Sequence, residues 1–228
     1  MDFIYDSLRT ALALIVALDG EVVSAVQTSL GVALWSVTFA ALGGIPFGVA
    51  VAIKNFPGKR WVITLLNTLM ALPTVVVGLL VYGLLSRQGP LGEMGLLFTP
   101  TAMIIGQTVL ALPIVAHYSL AAVRGADARI MPTALTLGAG PLQSLTRLVL
   151  DIRFGIVAAV IAAFGRVVAE VGVAMMLGGN IRGYTRTMTT AIALETSKGE
   201  FAFGLALGII LMAVALGINL FFNALQER

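Results

Sequence analysis

The chain has 228 residues, 59% of them hydrophobic and 11% charged, with a mean hydropathy of +1.01. An ordinary soluble domain is about a quarter charged, so this composition excludes a water-soluble globule and calls for a bilayer. The formal charge of +3 is small and its basic residues are spread along the chain, which reads as membrane topology rather than nucleic-acid binding, and the lack of cysteine excludes disulfides and thiolate metal sites.

The first element, residues 3–18, is short and carries Asp6 and Arg9. Asp2, Asp6, Arg9 and Ala13 share one helical face, with Phe3, Ile4, Leu8, Leu12 and Ile15 opposite. That pattern suits an interfacial helix occupying residues 1–21, a sixth short span being the alternative. With no basic leader and no small-residue cleavage site, a cleaved signal peptide is not expected. A helix crossing the hydrocarbon core needs about 20 apolar residues. Uncharged runs of that length follow at residues 22–53, 61–86, 94–123 and 201–225, and a fifth run, 154–181, is interrupted only by Arg166 and Glu170. Backbone in lipid has no outside partner, so these five runs are expected to be helices of one transmembrane unit, residues 1–228.

Pro46, Pro73 and Pro113 lie in or beside the spans, where each removes a backbone bond and favours a kink. Gly44 with Gly48, and Gly204 with Gly208, have the G-x-x-x-G spacing that lets helices approach closely. Five spans give alternating loops. One side collects Lys54, Lys59, Arg60, Arg124, Arg129, Arg147, Arg153 and Arg228; the other has Arg9, Arg87, Arg182, Arg186 and Lys198. The richer side is expected to be cytoplasmic, with the N-terminus outside and the C-terminus inside.

The cytoplasmic loop, residues 124–153, reads RGADARIMPTALTLGAGPLQSLTRLVLDIR: two short helices around a turn at 138–140, with Pro141 opening the second. Arg166 and Glu170 are four apart on one helical face and are expected to pair toward the protein interior, as a gate or as a structural lock. The external segment, residues 178–199, sets Gly179, Asn180, Arg182, Thr185 and Arg186 beside Thr189 and Thr190, donors that suit an oxyanion or a delivery protein. His117 is the only histidine and is expected to be a packed polar residue; no nucleophile–base pair or carboxylate dyad stands out.

The cytoplasmic loop resembles the signature of ATP-binding-cassette importer permeases: Glu-Ala-Ala, three residues, Gly, nine residues, Ile-x-Leu-Pro. Ala134, Gly138 and Leu150 match, Leu148 replaces the isoleucine, and Pro132, Thr133 and Asp151 depart from the pattern. Further segments are similar to tungstate permeases, close relatives of molybdate permeases: FPGKR at 56–60, LMALPTVVVGLLVY at 69–82, LLSRQGPLG at 84–92, LLFTPTAMIIGQ at 96–107, FGRVVAEVG at 164–172 and GGNIRGYTRTMTTAIALETSKG at 178–199. The resemblance implies an all-α type I importer permease fold and ATP-driven import of tungstate by alternating access. It implies a prokaryotic cytoplasmic (inner) membrane location, a second permease copy, a separate ATPase subunit and an extracytoplasmic solute-binding protein. Coupling to the ATPase would run through Ala134, Leu137, Gly138, Ala139 and Leu142. The chain carries no G-x-x-x-x-G-K-[ST] phosphate loop, so no cofactor of its own is expected, and ATP with Mg would sit on the partner ATPase. Open alternatives are a permease for molybdate, sulfate or another solute, a secondary transporter, and an intramembrane enzyme using Glu170 or His117.

Overall fold

The structure, a computed structural model, describes residues 2–226 and, within them, the side chains of residues 5–218 and 220. The faces expected for Asp2, Phe3 and Ile4, and the placement of Arg228, fall outside the described side chains. Eleven α-helices and one short 3-10 turn make up the described residues, with no strand among them.

α1 (Asp2–Val16) meets α2 (Gly20–Ile53) at a turn in which Leu18 has φ +50° and Asp19 accepts the Glu21 and Val22 N–H groups. Ser7 and Ala11 of α1 are buried and the helix packs on α11 (Phe201–Gln226), while Leu8 and Leu12 are exposed. Small side chains thus meet the neighbouring helix and large apolar ones face outward, the ordering natural to helices surrounded by lipid. Fifteen residues rise only about 22 Å, short of the roughly 30 Å hydrocarbon core.

α2 lies along α5 (Pro100–Gly125) in the most extensive helix pair of the chain. The reason is steric. A Cβ on Gly48 would stand 2.2 Å from the Ala116 carbonyl oxygen, and one on Gly44 3.0 Å from Val115 Cβ. Gly204 and Gly208 have the same spacing, but Gly208 faces open space and Gly204 makes only ordinary contact with Thr196. Among the described residues, only the α2 pair of these two sits at a close helix contact. Pro46 and Pro113 sit inside continuous helices.

The run at 61–86, read as one span, is broken. α3 (Lys59–Met70) and α4 (Thr74–Leu85) meet at 99° across residues 71–73. Pro73 has no N–H to continue the ladder and biases Leu72 away from helical backbone. The run at 154–181 is also split, into α8 (Arg153–Val168) and α9 (Gly172–Gly178), with Glu170 in the gap. α7 (Pro141–Asp151) meets α8 at 62°, and α6 (Ile130–Thr136) lies against α7. Among the described residues three helices are long and apolar enough to cross a membrane singly, and up to five crossings result if each bent pair is one span.

Contacts along α5 assign the two ends of the bundle. Phe98, just before α5, donates its N–H to the Leu177 carbonyl at the end of α9, and α6 and α7 follow the far end of α5. Lys54, Lys59, Arg124, Arg129 and Arg147 gather at the α6–α7 end, and Arg182 and Arg186 lie at the other, beside the start of α2.

Candidate functional site

Two features stand out at opposite ends, joined by the broken helices between them. At the α6–α7 end, Asp127 prepares the start of α6. Its carboxylate accepts the Arg129 N–H at 2.9 Å and pairs with the guanidinium at 2.8 Å, so Arg129 holds the Asp127 carboxyl below the usual carboxylate range. α6 ends in a Schellman closure: the Ala139 N–H reaches the Ala134 carbonyl and the Gly138 N–H the Leu135 carbonyl, both at 3.0 Å. Gly138 has φ +88°, which only glycine adopts without strain. Pro141 then opens α7, and the Gln143 side chain accepts the Gly140 N–H at 2.8 Å.

This geometry brings Ala134, Leu137, Gly138, Ala139 and Leu142 around one turn. Leu137 is 82% and Leu142 76% exposed, while Ala134 and Ala139 line a groove of about 620 Å³ with Asp127, Gln143 and Arg147. Two bare leucines beside a groove rimmed by both charge signs suit insertion into another protein. Behind the turn, Leu148 and Ile152 are buried against Val49 of α2, which ties α7 to the bundle.

In the middle, Arg166 Nη1 donates to Glu170 Oε2 at 3.0 Å, the i, i+4 pair expected from their spacing. The two side chains are not equally enclosed: Glu170 is 2% exposed and Arg166 44%. Glu170 Oε1 also accepts the Val173 N–H at 3.2 Å, capping α9, and the Glu170 carbonyl accepts the Thr189 hydroxyl at 2.8 Å. The carboxylate is therefore a fixed joint at the α8–α9 break, and the guanidinium is its outward end.

The segment at 178–199 is only partly a loop. Thr187 caps a helix, α10 (Met188–Lys198), which packs on α11 and α2. Gly179 (φ +68°) and Asn180 (φ +52°) turn the chain out of α9. Thr185, Thr189 and Thr190 are buried, and their hydroxyls bond inside the chain: Thr185 to the Gly178 carbonyl, Thr189 to Glu170, Thr190 to Thr187. The Asn180 side-chain amide reaches the Thr190 carbonyl at 3.4 Å. Arg182 and Arg186 converge on the two carboxylate oxygens of Glu21, with Arg182 at 2.6 Å, and Arg186 also lies 3.6 Å from Glu195, which Lys198 approaches at 2.9 Å. These pairs tie the start of α2 to the segment that leads into α10, and Glu21, Arg182, Arg186, Glu195 and Lys198 line one pocket. Glu21, Glu195 and Ser29, whose hydroxyl accepts the Met188 N–H at 2.7 Å, belong to this cluster and escaped the sequence reading. An acidic residue at the outer end of a span, facing unexpected arginines, was the available signal for Glu21.

Comparison with known proteins places the chain as a whole in a family. A family model described as "Binding-protein-dependent transport system inner membrane component" matches residues 44–228. The chain is 41% identical over 227 residues to the tungstate uptake system permease protein TupB of Campylobacter jejuni, covering 100% of this chain and 95% of that protein. It is 40% identical over 230 residues to the TupB protein of Peptoclostridium acidaminophilum, covering all of both. Among solved structures, it superposes on a chain of a bacterial alginate ABC transporter in complex with an alginate pentasaccharide-bound periplasmic protein, with a TM-score of 0.77, 21% identity, and coverage of 94% of this chain and 82% of that one. The all-helical permease fold expected from the sequence is thus the observed one.

Proposed function

Because the chain belongs to the family of binding-protein-dependent transport system inner membrane components, we propose that it is the permease subunit of an ATP-driven importer that moves tungstate, a tetrahedral oxyanion, by alternating access. The observation that carries this reading is identity of about two in five residues along the whole chain to two tungstate uptake permeases. In this reading two copies face each other across a two-fold axis, in the cytoplasmic membrane of a prokaryote. A separate subunit binds ATP with Mg, and a solute-binding protein delivers the anion from outside.

The turn at Gly138 supplies the link to the ATPase. Leu137 and Leu142 are its exposed apolar contacts, and α7, bent against α8, transmits displacement toward the α8–α9 break. The Glu21 cluster at the other end holds the mouth together where a binding protein would dock. Tungstate and molybdate share charge and shape, so discrimination between them falls mainly to the binding protein.

The test is uptake into vesicles carrying the permease, its ATPase and its binding protein, with tungstate, molybdate and sulfate in competition. ATP-dependent tungstate uptake that excess sulfate leaves intact supports the proposal. Uptake of sulfate or of a cation with tungstate ignored, or a permease that purifies without an ATPase, rejects it.

A further inference from the structure

Arg166 lies thirteen residues beyond Arg153 on α8, about 20 Å along the helix at 1.5 Å per residue. That depth is inside a hydrocarbon core about 30 Å thick, where a guanidinium turned toward lipid is heavily penalised. Yet its side chain is 44% exposed in the single chain. The face that carries it is made of small exposed residues, Ala158, Ala162, Gly165 and Ala169, and a Cβ on Gly165 would meet nothing within 4 Å. This face is open, roomy and incompatible with lipid, so it borders the pathway or the second copy.

The surroundings are arranged around the cation. Glu170 is held from two sides, by Arg166 Nη1 and by the Val173 N–H, with its charge turned inward. Among the described residues Arg166 has no hydrogen-bond partner besides Glu170, and that bond engages only its Nη1. The break between α3 and α4 lies beside the break between α8 and α9: the Cβ position of Gly172 is 3.1 Å from Thr74 Oγ1 and 3.3 Å from Glu170 Oε1. No side chain caps the first turn of α4. Interrupted helices meeting at mid-depth are where transporters place their substrate contacts.

We propose that Arg166 is the oxyanion contact of the translocation pathway, held ready by Glu170 and offered to a tetrahedral dianion from the open face of α8. The planar guanidinium donates two parallel N–H groups to two oxygens of such an anion. Glu170 balances the cation when the pathway is empty and keeps the passing anion weakly held, since conduction needs release as much as entry. Glu170 is a positioning residue and does not touch the anion. The inference rests on the oxyanion-import reading above.

The experiment uses the complete complex in proteoliposomes with its binding protein, comparing wild type with Arg166→Gln, Arg166→Lys, Glu170→Gln and the double variant Arg166→Leu/Glu170→Leu. Tungstate uptake and ATP hydrolysis are read on each. Arg166→Gln is expected to lose roughly 30-fold or more in uptake, the worth of a charged hydrogen-bonding partner, while its ATPase subunit still co-purifies and hydrolyses ATP. Arg166→Lys, which keeps the charge without the fork, is expected to raise KM with a smaller change in kcat. Glu170→Gln still accepts the Val173 N–H but no longer neutralises Arg166, so KM and kcat both fall as the anion is held longer. Wild-type uptake in Arg166→Gln overturns the inference, and so does recovery of uptake in the double leucine variant, which would make the residues a structural pair. Should Arg166→Gln fail to assemble, an unchanged KM in Arg166→Lys overturns it instead. A wild-type complex idle toward tungstate, molybdate and sulfate refutes the parent reading first; an active wild type beside an active Arg166→Gln refutes this inference alone.

Discussion

Replacing Glu21 by glutamine keeps the shape of the side chain and removes the charge on which Arg182 and Arg186 converge. The two pairs differ in worth because they differ in exposure. Arg182 is 72% exposed, so its pair contributes no more than about 1 kcal/mol. Arg186 is 11% exposed and Glu21 19%, and breaking such an enclosed pair costs about 3–5 kcal/mol when the remaining charge has no substitute. Here a substitute exists: Glu195 lies 3.6 Å from Arg186, which lowers the expected loss to about 2–3 kcal/mol. For a chain of this size that corresponds to a fall of roughly 5–10 °C in melting temperature. The assay is thermal unfolding of the detergent-solubilised protein for Glu21→Gln, Arg182→Met, Arg186→Met and the double variants. Glu21→Gln should be far more damaging than Arg182→Met, and adding Arg186→Met to Glu21→Gln should restore part of the loss by removing the stranded cation. Losses that simply add, with coupling between Glu21 and Arg186 below about 0.5 kcal/mol, would show that the cluster does not clamp α2 to α10.

Gly138→Val has room for its side chain but must hold φ near +88°, a strain of about 1–2 kcal/mol or more for a β-branched residue; the variant is expected to insert normally and lose ATPase co-purification, with Gly138→Asn milder. Gly48→Val places a Cβ 2.2 Å from the Ala116 carbonyl and should abolish stable expression, whereas Gly208→Ala, facing open space, should stay within about 0.5 kcal/mol of the parent. Because the chain has no cysteine, single reporters can be placed cleanly: Thr196→Cys is expected to react with an impermeant thiol reagent from outside and Thr146→Cys only after permeabilisation. Both positions are exposed, and reaction of both from one side would reject the five-crossing arrangement.

What the sequence determined by itself is the class of protein and the local chemistry that depends on neighbours along the chain. Hydropathy and run length locate the membrane segments, since lipid demands continuous apolar helix. The turn at residues 138–140 was legible because Gly138 permits the left-handed backbone that closes α6 and Pro141 fixes the first turn of α7. The Arg166–Glu170 pair was legible because residues four apart share a helical face.

What lay beyond the sequence depends on contacts between distant segments. Hydropathy sums over a window and is blind to direction, so Pro73 marked a kink without its 99° size, and the gap at Glu170 looked like continuous span. Gly44 with Gly48 and Gly204 with Gly208 are indistinguishable as patterns, and only the approach of α5 separates them. Arg182 and Arg186 read as free donors until folding brought Glu21, over 160 positions away for Arg186, against them. Which end of the Arg166–Glu170 pair is enclosed was likewise decided by tertiary packing, because exposure is a property of the space around a side chain, and that space is built by every other helix in the bundle.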